Sequence, residues 1–219
     1  MDITDLLDIK HKKIPRTNIV FTEKTFKWCQ LPYPNHPKGC PNFGRNELCP
    51  PKTELKEEFI KKFNHFYLIY GIFDFETYLT EMKRRHPQWS ERKLKCVLYW
   101  QGSVKKRMRE HIEQIMSSNS SESLLKYMKN SKNCRNDKNN NSNITSKKAA
   151  KRRKHKIYLF SSGSGFKVNN LKQKRIYSME AVGMNVFKIL KKSGIDFETK
   201  PKTKINIVNL LCTSAPIKI

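Results

Sequence analysis

Three cysteines, Cys29, Cys40 and Cys49, fall within one stretch, WCQLPYPNHPKGCPNFGRNELCPPK, from Trp28 to Lys52. Ten and eight residues separate them, wider than the spacing of about two to four residues in a zinc knuckle. Thiolates favour soft and borderline metals, so the chemistry open to such a set is to hold zinc or an iron–sulfur cluster. Cys40-Pro41 and Cys49-Pro50-Pro51 repeat a cysteine-then-proline order found at iron–sulfur ligands, and Gly39 and Gly44 let backbone curl close to an ion. A loop rich in fixed dihedrals and poor in large aliphatics needs something to hold it, and ligation is one answer. The competing reading is a proline-stiffened surface loop with unliganded thiols. Three thiolates leave a fourth position, for which His36 inside the loop and Cys96 further along are the candidates. Cys134 and Cys212 are read as bystanders.

The elements that must position this loop, residues 29–51, are those of an α+β domain: a small mixed sheet packed by helices. A short strand is expected at Asn18–Phe21. Helical pattern covers Glu54–Phe63, and FYLIYGIF (66–73), aromatic and β-branched on both alternating faces, reads as a central strand covered on both sides. Asp74 caps a helix that Pro87 stops. Ser90 is expected to cap one long helix with an apolar stripe of Leu94, Val97, Leu98, Val104, Met108, Ile112 and Ile115, and with Arg92, Lys95, Lys106 and Arg109 on the other side. A short strand is expected at Ile157–Phe160. Ser178 caps a predicted helix reaching Gly194, with Gly183 in its interior at a cost of about 1 kcal/mol relative to alanine. The last predicted strand is Lys204–Leu211.

Cys-Pro-Asn-Phe-Gly at residues 40–44, Cys-Pro-Pro at 49–51, the strand ending in Phe73-Asp74 and the run Ser178-Met179-Glu180-Ala181-Val182-Gly183-Met184-Asn185-Val186 are together similar to an uncharacterised archaeal and bacterial family of predicted metal-binding proteins, a cysteine-rich domain of unknown function. The resemblance spans most of the chain outside 117–156. It implies metal or iron–sulfur binding, without an assigned reaction or small-molecule substrate. Members often carry further cysteines just before the Ser-Met-Glu-Ala run; Ser161–Lys174 contains none.

The 219 residues carry a net charge of +26 with 37% hydrophobic residues, enough apolar content for a core and too much for a wholly disordered chain. The domain is read in two parts, 1–116 and 157–219, interrupted by a Ser-, Asn- and Lys-rich insertion, 117–156, expected to be disordered. The insertion holds twelve basic and two acidic residues, including Lys151, Arg152 and Arg153. Such a surplus favours weak, sequence-independent contact with nucleic acid, through the insertion and Arg92, Lys95, Lys106 and Arg109, with Trp89, Tyr99 and Trp100 available to stack on bases. A solvated basic surface is the plainer account. The longest apolar run is far short of the roughly 20 residues of a membrane helix, and Asp2, Asp5 and Asp8 open the chain where a signal peptide would be basic and then apolar. A cytoplasmic protein without membrane contact is expected. No nucleophile or triad stands out, so whether the protein is an enzyme is left open.

Overall fold

The computed structural model describes residues 2–32, 37–119, 156–161, 173 and 176–219. Strand β2 (His65–Asp74) is apolar on both faces because it lies inside a four-stranded sheet of order β1-β2-β4-β3. Its companions are β1 (Leu7–Ile14), β3 (Ile157–Phe160) and β4 (Lys204–Thr213). All three pairings are antiparallel, with Leu7 opposite Phe73, His65 opposite Thr213 and Ile157 also opposite Thr213. The α+β class stands, with the expected mixed pairing replaced by an antiparallel sheet. The strand expected at Asn18–Phe21 is instead a 3-10 turn (Arg16–Asn18) followed by an isolated bridge from Phe21 to Met184. The first strand is β1, LDIKHKKI, whose charged residues sit on an exposed sheet edge.

Each face of the sheet has its own core. On one, Phe66, Leu68 and Tyr70 of β2 and Val208, Leu210 and Cys212 of β4 pack with Met179, Val182, Met184, Ile189 and Leu190. On the other, Tyr67, Ile69 and Phe73 meet α3 (Phe75–Arg85) and α5 (Gln101–Ser118) through Tyr78, Trp100, Val104, Met108 and Ile112. Asp74 caps α3, accepting from Thr77 N–H at 3.0 Å.

The long helix expected from Ser90 is interrupted. Ser90 caps a single turn, α4 (Glu91–Leu94); a 3-10 turn (Val97–Tyr99) follows, and α5 starts only at Gln101. The interruption swings Trp100 into the core, stacked on Phe73 with centroids 5.0 Å apart. Val97 and Leu98 therefore leave the expected apolar stripe, and Leu98 is 81% exposed. The buried stripe runs through Val104, Met108, Ile112 and Ile115.

The helix expected from Ser178 is interrupted too. Ser178 Oγ accepts from Ala181 N–H, but only a 3-10 turn (Glu180–Val182) forms before Gly183 takes φ +88°, a left-handed conformation that ends it. Asn185 then caps α6 (Val186–Lys192) through Lys188 N–H at 3.0 Å. Gly183 is thus a helix terminator with a backbone requirement, and not an interior helical residue. Two short helices lie near the cysteine loop, α1 (Lys24–Trp28) before it and α2 (Glu57–Ile60) after it, the latter a single turn of the longer helix expected at 54–63.

Candidate metal centre

Both roots of the cysteine loop are fastened to residues 181–184, far away in the sequence. On the entering side Thr22 N–H donates to Gly183 carbonyl at 2.7 Å, and Phe21 bridges Met184. On the leaving side Thr53 Oγ1 donates to Ala181 carbonyl at 2.5 Å and Lys56 N–H to Val182 carbonyl at 3.2 Å. The receiving segment is itself tied to the sheet, since Ser161 N–H donates to Tyr177 carbonyl and Met179 N–H to Ser161 carbonyl. Residues 178–184 therefore form the floor on which the loop sits.

Within the loop, backbone bonds tie the three cysteines to one another or to near neighbours. Cys40 N–H donates to Cys29 carbonyl at 2.7 Å, Cys49 N–H to Asn46 carbonyl at 3.0 Å, and Gly44 N–H to Pro50 carbonyl at 2.8 Å. Gly39, at φ +83°, makes the first of these possible, because a β-carbon there would lie 2.5 Å from the Cys29 carbonyl oxygen. The Pro50-Pro51 peptide is cis.

The thiols feel one another. Burial, then Cys40, Cys49 and Glu180 in that order, push the Cys29 thiol up to about 11. Burial and Cys40 raise that of Cys49. Thiolates brought together without a counter-cation repel, so each holds its proton more tightly; a bound cation would reverse the sign of that interaction. The donor chemistry fits a thiophilic ion. Among the described residues no three Cys, His, Asp or Glu side chains are gathered closely enough to hold an ion as they stand.

Glu180 is the neighbour that sequence reading missed. Taken by itself, a carboxylate near a helix start is explained by the helix dipole, and only the fold reveals that the floor of the loop carries it. Glu180 keeps some surface exposure, yet the protein packed around it raises its carboxyl pKa, opposed by Lys105 of α5 and a hydrogen bond from Ser178. Burial in turn lowers the pKa of Lys105, with Glu180 opposing. The signal available in sequence was the family-like Ser-Met-Glu-Ala run itself.

The chain belongs to a family of predicted metal-binding proteins, DUF2284. The match covers residues 12–212, and so takes in the loop, its floor and every strand except the first residues of β1 and the last of β4. No curated protein and no solved structure matches the chain.

Other expected site residues fall elsewhere. His36, Lys151, Arg152, Arg153 and Cys134 lie outside the described residues. Cys96 precedes the 3-10 turn before α5 without a side-chain capping bond, and it is Tyr78 of the second core that feels it. Cys212 is buried within β4 beneath the first core.

The basic face is also divided. Arg92 and Lys95 belong to or follow α4, whereas Lys106 and Arg109 are on α5, so the four do not share one helix side. Lys95 pairs with Glu91, and Lys106 lines a cleft with Asp2, Asp5 and Glu110. Trp100 is buried, and Trp89 is stacked on His86 with Lys93 over its ring. No described helix is long and apolar enough to cross a membrane.

Proposed function

We propose that the protein holds one thiolate-ligated metal centre, an iron–sulfur cluster or zinc, on Cys29, Cys40 and Cys49, with the fourth position directed toward Glu180. The observation that carries this reading is geometric: Cys40 N–H is bonded to the Cys29 carbonyl, and both roots of the loop are bonded to the segment that carries Glu180. Three thiolates and a carboxylate drawn onto one centre would carry a charge of about −4 when all are ionised, which a bound dication or cluster would offset in part. Glu180 replaces His36 and Cys96 as the favoured fourth donor, because its segment receives both roots of the loop. An open or weakly held fourth position is what a substrate-binding or redox centre needs, whereas four tight ligands suit a structural ion. Lys105 supplies a cation beside the carboxylate that could hold an anionic group against the centre.

The test is metal analysis and visible absorbance of protein isolated without oxygen. Stoichiometric iron and sulfide with broad visible absorbance is the cluster; colourless protein with one zinc is the structural ion. Serine at Cys29, Cys40 or Cys49 is expected to remove the metal, and Glu180→Gln to weaken its retention without abolishing it. Full metal content in all three serine variants overturns the reading. The described residues give nucleic-acid binding neither a shared basic helix side nor an open Trp100, and the run Lys151, Arg152 and Arg153 lies outside them.

A further inference from the structure

Edge strand β1 and helix α5 each present a histidine to the other. His11 Nε2 and His111 Nε2 are 2.9 Å apart. The ring centroids are 5.2 Å apart with planes only 7° from parallel. The centroid separation exceeds the nitrogen separation by about both centre-to-nitrogen radii, so the rings point at one another tip to tip and are not stacked face on face. Two lone-pair positions therefore converge on one point. In the metal-free protein a single shared proton fills it, since an N–H···N bond needs one nitrogen protonated and the other not.

We propose that this pair is a second metal site, independent of the cysteine loop, for a late first-row divalent cation such as Zn2+, Ni2+ or Cu2+. Imidazole nitrogen is a preferred ligand of these ions. At bond lengths of about 2.0–2.1 Å, two nitrogens on one ion lie about 2.9–3.4 Å apart between right-angle and tetrahedral geometry. The observed separation lies at the lower end of that range, and each ring must tilt by about 45° from the common axis for both lone pairs to aim at one ion. His11 is exposed, which gives room for that tilt and for water to complete the coordination. Among the described residues no third Cys, His, Asp or Glu is close enough to join them, so the site is bidentate. Burial, then His11 and Arg107, lower the affinity of His111 for a proton. Arg107 itself lies 3.9 Å from Glu110, which offsets part of its charge. The ligand would clip the exposed sheet edge to a helix of the second core. That core lies across the sheet from the one containing Val182 and Met184, beside which the cysteine loop is fastened.

The experiment is a Zn2+ titration of the full chain, without an added histidine tag, followed through the side-chain nitrogens of 15N-labelled histidine. The Nε2 signals of His11 and His111 are expected to shift together and saturate at one equivalent beyond whatever the thiols take. Replacing either residue, His11→Gln or His111→Gln, is expected to weaken zinc binding at the remaining imidazole by about tenfold or more, because a chelate becomes a single ligand. A cysteine-to-serine variant of the loop should leave these shifts unchanged, which separates failure here from failure of the thiolate centre. The proposal is overturned if the two signals do not move until zinc is in large excess, or if His11→Gln leaves zinc binding by His111 within twofold; the pair is then a proton-sharing contact only.

Discussion

The backbone N–H of Cys40 donates to the carbonyl of Cys29 at 2.7 Å, so two thiol-bearing residues with ten others between them are clasped before any ligand arrives. This contact holds the loop neck closed and presents Cys29 and Cys40 side by side. It depends on the residue just before the second thiol, Gly39.

Gly39→Ala is expected to open that neck. A β-carbon would meet backbone of Cys29 and Gln30 at 2.5–2.8 Å, and a left-handed φ adds strain of about 1–3 kcal/mol. Metal retained per chain should fall together with the urea midpoint. Unchanged retention would show that the neck is irrelevant to ligation.

The raised Cys29 thiol makes the metal-free protein sensitive to base. Its folded-state pKa of about 11 exceeds the ordinary 9.0, so the unfolded chain loses this proton first. The stabilising contribution is complete below pH 9 and is lost as pH rises toward 11. Metal-free protein should therefore melt at progressively lower temperature across that interval, and Cys29→Ser should flatten the decline. Alkylation of Cys29 should be slow at neutral pH and accelerate over the same range.

Asn119, buried at the end of α5, joins the two parts of the chain. Its side-chain amide donates to Ile115 and Lys218 carbonyls, both at 2.8 Å, and its oxygen accepts from Lys218 N–H at 2.9 Å. Asn119→Ala should cost about 1 kcal/mol by removing the side-chain bonds that hold Lys218 to the end of α5, read from chemical denaturation. Helix α5 runs to Ser118, past the boundary drawn at 117 from composition. Replacing 120–155 with a short Gly-Ser linker is accordingly expected to preserve the melting temperature within a few degrees, whereas a deletion beginning at 117 should not.

The break between α4 and α5 places neighbouring residues in opposite settings. Trp100→Ala should destabilise by about 3–5 kcal/mol, as expected when a core aromatic is removed. Leu98→Gln, two residues earlier at 81% exposure, should change stability by about 0.5 kcal/mol or less. Equal effects would mean that the aromatic stack on Phe73 is not formed.

Much of this arrangement was legible in the residues. FYLIYGIF is apolar on both faces, which only an interior strand requires, and Asp74 and Ser90 cap helices as their side chains predict. Strand β1 was illegible because an edge strand owes burial to few positions; Lys10, Lys12 and Lys13 mask the alternation of Leu7 and Ile9. Both overextended helices failed for one reason: apolar periodicity continues through a reversal that backbone geometry imposes, at Cys96–Trp100 and at Gly183. The three cysteines were legible as candidates by type and by the prolines that follow Cys40 and Cys49. Glu180 did not, because its significance is a matter of which distant segment the loop roots bond to, and no local pattern encodes that.

The fastening of residues 22, 53 and 56 to residues 181–184 also has a meaning in time. A chain emerging from the ribosome exposes its three thiols long before their floor exists, and more than a hundred further residues must be made first. Until then any ion that the thiols capture is held by a loop with neither root secured. If the thiolate centre proposed above forms, secure loading waits for residues 181–184, and a product truncated before them retains the cysteines without their floor.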